Sequence, residues 1–230
     1  MLKSIETRWI LNPSQFETIL NWFVKQKLNF GRESFFPRQD YYLKLLNNNS
    51  LGIKIREPKT DSDGNAISKL EIKIMTNNYG PQKFNNDNQG IVNSWNKYSF
   101  ETIENEIETQ KIINTFTANK QHDSWIKIDK DRLLLKYDVE NNVFVLGSII
   151  IDEGAGVELT KFKIENKIYY SIGIEAFSVS NKELENFNAT AKFLFSDLKI
   201  SQLSNNNSIS YPEIIANHFL KLKNNENYKI

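Results

Sequence analysis

Five stretches of this sequence alternate polar and apolar residues, with charged side chains recurring on the polar face. In LGIKIRE, Lys54 and Arg56 alternate with Ile53 and Ile55; in KLEIKIM, Glu71 and Lys73 alternate with Leu70, Ile72 and Ile74. In KDRLLLKYD, Lys130, Arg132, Lys136 and Asp138 share one parity, with Leu134 among them. In GVELTKF, Glu158 and Thr160 oppose Val157 and Leu159, and in YSIGIEAF, Ser171, Gly173 and Glu175 oppose Ile172, Ile174 and Ala176. Successive side chains of a strand point to opposite faces. Each stretch therefore reads as a strand with one ionic and one apolar face. The opening SIETRWIL follows the same rule: Ser4, Glu6 and Arg8 lie on one face, Ile5, Thr7 and Trp9 on the other.

Two architectures satisfy such a pattern. One is a set of half-buried antiparallel strands with a solvated polar face. The other is a sheet closed into a barrel, its apolar faces outward beneath helices and its charges inside. The polar faces carry ionisable residues with little Ser, Thr or Gln between them, and both signs recur from strand to strand. Buried charge is costly unless it is paired, bound to metal or kept wet. A lumen of both signs suits a polyanion and a cation held together. Arginines grip phosphate oxygens in pairs, and carboxylates hold Mg²⁺ or Mn²⁺ that bridges to the phosphates.

The remaining segments supply the cover. A strand from Lys3 to Leu11 leads to Asn12-Pro13-Ser14, which suits a helix start, with proline in the first turn. Phe16, Ile19, Leu20, Phe23 and Val24 form that helix's apolar stripe. Strands are expected at about 38–46, 51–57 and 69–76, with Asp63-Gly64-Asn65 as a hairpin turn between the last two. Residues 77–90 read as a loop and 91–118 as helical, with an acidic face in ETIENEIE, residues 101–108. A long strand follows at 124–140, then VFVLGSIII and a hairpin turning at Glu165-Asn166. Helices at 181–196 and 212–222 finish the chain. The 230 residues thus predict one α+β domain spanning 1–230: an eight-stranded, mostly antiparallel closed β-barrel with helices packed outside.

Composition removes other chemistries. There is no cysteine, so disulfide and thiolate chemistry are excluded, and a total of two histidines argues against a histidine-based metal centre. A net charge of +1 argues against an extended nucleic acid or membrane partner. No apolar run has the length of a membrane span, and a cytoplasmic protein is the expectation. Tyr41 and Tyr42 read as barrel-wall packing rather than stacking groups.

The ordered set of motifs resembles the CYTH superfamily, the triphosphate tunnel metalloenzymes. That family opens on a strand of the form E-x-E-x-K, matched by Ser4, Glu6 and Arg8. DYYLKL, LGIKIR and KLEIKI are similar to its next strands, Lys130-Asp131-Arg132 to its K-x-R strand, VELTKF and SIGIEAF to its glutamate-bearing last strands, and SISYPEIIANHFLKL to its closing helix. The resemblance implies an eight-stranded barrel open at both ends around a charged tunnel. It implies metal-dependent hydrolysis of a triphosphate-containing small molecule: inorganic triphosphate, thiamine triphosphate or a nucleoside triphosphate. Arg8, Lys54, Arg56, Lys73, Lys130 and Arg132 would bind phosphate oxygens, with Lys136 further along its strand. Glu6 and Glu175 would ligate Mg²⁺ or Mn²⁺, with Glu158 and then Glu71 behind them, and Glu6, Glu158 and Glu175 would form the catalytic carboxylates. Ser4 stands where the family carries its first glutamate. A weak or inactive phosphate-binding module and an adenylyl cyclase of the same superfamily are the alternatives, and a homodimer is left open.

Overall fold

The computed structural model describes residues 1–26, 35–60, 66–102, 124–200 and 202–226. Its strands are β1 (Leu2–Leu11), β2 (Phe36–Leu43), β3 (Leu51–Thr60), β4 (Ala66–Lys83), β5 (Gln89–Thr102), β6 (Trp125–Asp138), β7 (Val143–Leu146), β8 (Glu153–Ile164) and β9 (Lys167–Ser178). They pair antiparallel in the order β2-β3-β4-β5-β1-β9-β8-β6-β7. A further pairing of β2 with β6 closes eight of them into a barrel and leaves β7 as a short flap on β6. Closure removes the sheet edges that a polar-faced sheet would otherwise expose.

The helices are α1 (Pro13–Lys25), α2 (Glu183–Asp197) and α3 (Tyr211–Glu226). Helix α1 starts where the sequence predicts: Asn12 caps the Gln15 amide at 2.8 Å and the Gln15 side chain returns a bond to Asn12. Helices α1 and α2 cover the outward faces of β1, β9, β8 and β6. There Ile5, Trp9, Leu133, Leu135, Val157, Leu159, Ile172 and Ile174 meet Phe16, Ile19, Phe23, Phe187, Leu194 and Phe195. The main core thus lies outside the barrel, as the second architecture requires, and the ionic faces are left to the lumen.

Two expectations are corrected. Residues 91–102 are strand, not helix: β5 pairs with β4 from Gln89–Lys83 to Thr102–Ser68. Residues 77–83, expected in a loop, continue β4 past register shifts at Met75–Asn77 and Asn78–Gly80, with Gly80 at φ +71°. Extended pairing along a long neighbour overrides weak local propensity. The expected turn at 63–65 and the remainder of the expected helix, 103–118, lie outside the described residues. The β8–β9 hairpin turns at Glu165 as expected, at φ +52°.

The barrel is not open at both ends. Ile10, Tyr42, Ile126, Ile128, Phe162, Ile164 and Tyr169 form an apolar layer across one end, and α3 packs Tyr211, Ile214, Ile215 and Phe219 onto it. The segment leading into α3 is fixed to β1: the Ile209 amide donates to the Arg8 carbonyl at 3.0 Å, and the Asn207 side chain to the Ile10 carbonyl at 3.0 Å. The result is a chamber with a hydrophobic floor.

Candidate functional site: an ionic chamber in the barrel

The inward positions of the strands converge on a cavity of about 170 Å³. Arg8, Arg38, Lys54, Arg56, Lys73, Lys97, Lys130 and Arg132 line it, eight cationic side chains against five lining carboxylates, Glu6, Glu71, Glu158, Glu175 and Glu213, and a sixth acid, buried Asp40, that bonds Arg38, Lys130 and Lys54. The local excess of positive charge exceeds the whole chain's +1, so clustering and not composition makes the field.

Three ionic clusters organise it. Glu158 is clamped by Arg8 and Arg132, each at 3.1 Å, and accepts from the Thr160 hydroxyl at 2.9 Å. Burial pushes this carboxyl up, but Arg132 and Arg8 outweigh it and hold its pKa far below the ordinary range. Arg8 also donates to the Ser171 hydroxyl at 3.0 Å and passes over Gly173, where a Cβ would lie 2.9 Å from the guanidinium. Only glycine leaves room for that crossing.

Asp40 centres the second cluster. It is fully buried and takes a two-toothed bond from Arg38 at 2.7 and 2.6 Å, with the Lys130 ammonium at 3.1 Å and that of Lys54 at 3.7 Å. Burial raises its pKa, and Lys130, Lys54 and Arg38 together drive it far below the usual carboxylate range. Beside it, Glu71 holds Lys54 at 2.7 Å and Arg56 at 3.3 Å. Burial opposes and Lys54 and Arg56 outweigh it, lowering Glu71 to about 2. Arg56 itself is depressed, first by burial and then by the neighbouring Arg38, with Arg132 adding.

The third cluster is Glu6, Glu175 and Lys73. Glu6 lies opposite Glu175 across the β1–β9 ladder. The Lys73 ammonium bonds Glu6 and stands 3.6 Å from Glu175. Burial and the charge of Glu175 raise the Glu6 carboxyl, while Lys73 lowers Glu175 to about 2. Ser4, buried on the same face, donates to Glu6 at 2.5 Å.

To use this third cluster a divalent cation would have to displace the Lys73 ammonium, which bonds Glu6 and lies 3.6 Å from Glu175. Glu71 and Glu158 are engaged by guanidinium and ammonium groups, and no described group of three or more acidic or imidazole side chains is arranged to hold an ion. Two facing carboxylates, one disfavoured as an anion by the other, match a hard cation. Such an ion takes one or two carboxylates and completes its shell with waters and phosphate oxygens.

Of the basic residues singled out from the sequence, Arg8, Lys54, Arg56, Lys73, Lys130 and Arg132 all line the chamber. Lys136 does not: its ammonium donates to the Ile149 carbonyl at 2.6 Å outside it. The carboxylates Glu6, Glu71, Glu158 and Glu175 all line it. Sequence reasoning missed Arg38, Asp40, Lys97, Asn93 and Tyr211. Alternation in PRQDYY already places Arg38, Asp40 and Tyr42 on one face, and they face inward. Tyr42, read from the sequence as wall packing, lines the chamber, and its hydroxyl accepts from Lys130 at 2.8 Å. Lys97 and Asn93 were hidden by the helical reading of β5.

No protein-family model matches the sequence, and no curated protein matches it either. Solved structures do. A proposed adenylate cyclase from Bacillus halodurans is similar at TM-score 0.48 and 13% identity, over 89% of this chain and 94% of that one. A conserved hypothetical protein from Pyrococcus furiosus is similar at 0.46 and 16%, over 91% and 98%. The Mimivirus capping-enzyme triphosphatase is similar at 0.43 and 9%, over 84% and 90%.

Proposed function

We propose that the chamber binds the triphosphate group of a small molecule and hydrolyses one of its phosphoanhydride bonds, in a single domain spanning residues 1–230. The observation that carries this is the convergence of eight cationic side chains on one floored cavity, in excess over its carboxylates. A triphosphate carries several negative charges on closely spaced oxygens, and Arg8, Arg56 and Arg132 offer guanidinium donors for them. Lys54, Lys73 and Lys130 add point charges.

In the reaction, charge moves onto the departing phosphate oxygen. Fixed cations aimed at that oxygen stabilise it without reorganisation. Arg8 and Arg132 are held ready by Glu158, and Lys54 and Arg56 by Glu71. Mg²⁺ or Mn²⁺ at Glu6 and Glu175 would polarise phosphoryl oxygens. A carboxylate beside the metal, Glu6 or Glu175, would orient the attacking water and accept its proton.

The test is phosphate release from tripolyphosphate, thiamine triphosphate and ATP with Mg²⁺ or Mn²⁺, run beside thermal unfolding with the same ligands. Release of phosphate supports hydrolysis, and release of pyrophosphate from ATP alone points to a cyclase. A second reading is a binding module without turnover. Ser4 favours it, because the position beside Glu6 supplies a hydroxyl and no charge. A rise in melting temperature with tripolyphosphate but no phosphate release establishes that reading. Neither effect rejects both.

A further inference from the structure

Helix α3 does more than floor the barrel. Its first residue, Tyr211, reaches into the chamber and lines it. The Arg8 guanidinium carbon lies 4.4 Å from the centre of its ring, and the Lys130 ammonium 3.9 Å. The ring is itself locked: it stacks on Tyr42 with centroids 5.9 Å apart and meets Phe162 edge-on at 5.4 Å. The backbone just before it is tied to β1 through Ile209 and the Arg8 carbonyl. Its hydroxyl is buried and has no partner among the described residues, so the ring face makes the contacts.

We propose that Tyr211 is a positioning residue that aims Arg8 and Lys130 at the bound phosphate through its ring face. The physical case rests on what an aromatic ring does to a cation that a carboxylate does not. A carboxylate fixes a cation by cancelling its charge. The negative face of a ring attracts a cation through its quadrupole and holds it without adding a further opposing charge to those of Glu158 on Arg8 and Asp40 on Lys130. Lys130 is almost wholly buried and Arg8 largely so, the partly desolvated setting in which such contacts are strongest. Arg8 comes from β1 and Lys130 from β6, two strands not adjacent in the barrel. One ring from a third element sets both, which couples the seating of α3 to the anion site. This rests on the triphosphate reading for its ligand, while the clamp itself is a property of the free protein.

The experiment compares Tyr211→Leu, Tyr211→Phe and a series in which Tyr211 is replaced by phenylalanines of increasing ring fluorination. Fluorination keeps the shape and drains the negative ring face. Tripolyphosphate binding is read by calorimetry. The leucine variant should bind roughly 5- to 30-fold more weakly, the span expected for cation–π contacts of about 1–2 kcal/mol. Phenylalanine should recover most of that loss, and affinity should fall stepwise with each added fluorine. Equal affinity for leucine and phenylalanine, or no trend along the fluorinated series, overturns the proposal. The series stands even if the leucine variant does not fold. In the ligand-free protein, unfolding of Lys130→Met, of Tyr211→pentafluorophenylalanine and of the double variant gives a second, independent test. Non-additive effects support the clamp and additive effects overturn it. If the parent protein binds no tripolyphosphate, the triphosphate reading falls, and this cycle alone decides the clamp.

Discussion

Replacing Asp40 by asparagine isolates the electrostatics of the chamber from its shape. The side chain is fully buried and nearly isosteric with asparagine, so packing changes little. The charge balance changes greatly. Arg38 loses its two-toothed partner at 2.6–2.7 Å, Lys130 its ion pair at 3.1 Å, and Lys54 its longer one at 3.7 Å. Lys130 has almost no solvent to turn to, its side chain being 3% exposed. Removing one member of a buried ionic cluster leaves uncompensated charge and costs about 3–5 kcal/mol. For a chain of this size each kcal/mol lowers Tm by about 2–4 °C, so a fall of roughly 6–20 °C is expected at neutral pH. The pH dependence follows in sign. The folded-state pKa of Asp40 is depressed, so its contribution is complete above the unfolded value of about 3.9 and is lost as pH falls below it. The gap between Asp40→Asn and parent should therefore be constant from pH 7 down to about 5 and narrow at lower pH. Tripolyphosphate should stabilise the variant at least as strongly as the parent, because a bound anion replaces the missing charge. The assay is urea unfolding across pH with and without ligand. Asp129→Asn is the control, since its pair with Lys127 is about half exposed and worth at most ~1 kcal/mol. A loss of under about 1 kcal/mol for Asp40→Asn, or a gap independent of pH down to 3, refutes the argument.

Arg56→Ala removes a cation crowded by Arg38 and Arg132; stability should change by less than about 1 kcal/mol while tripolyphosphate affinity falls about tenfold, and an unchanged thermal shift with ligand would sink the chamber model. Gly173→Ala puts a methyl group 2.9 Å from the Arg8 guanidinium; the arginine tip must shift from Glu158 and Ser171, so both Tm and anion affinity should fall, the latter about tenfold, and a variant that keeps the parent's Tm and affinity would contradict this. Ser4→Glu adds a carboxylate beside Glu6 and Glu175; the metal-free protein should be less stable, and Mg²⁺ or Mn²⁺ should raise its Tm more than the parent's and increase phosphate release. No change in metal response would show that position 4 is not a ligand position.

The sequence by itself determined which face of β1, β3, β4, β6, β8 and β9 is ionic. Side-chain alternation is a property of the extended backbone and needs no tertiary information, so Lys54, Arg56, Lys73, Lys130, Arg132, Glu158 and Glu175 were legible as one set before any fold was known. It also determined the start of α1, because the Asn12–Gln15 capping box is local, and the turn at Glu165. The order of the motifs made a closed barrel the economical solution to so much charge of both signs. The tertiary structure decided what depends on the company a residue keeps. β5 lacks a clean local signal and is a strand because β4 offers a long partner. Lys136 shares the parity of Arg132 yet misses the chamber, since the strand runs on past the cavity to the Ile149 carbonyl. Asp40 sits between two strands' lysines, and nothing in PRQDYY announces that Lys54 and Lys130 will arrive on either side. Helix α3 closes one end and brings Tyr211 to Arg8 and Lys130 across 203 and 81 residues of chain. The division is physical. Alternation and capping act over a few residues of backbone, while the partners of a buried charge are set by barrel closure, which no local stretch encodes.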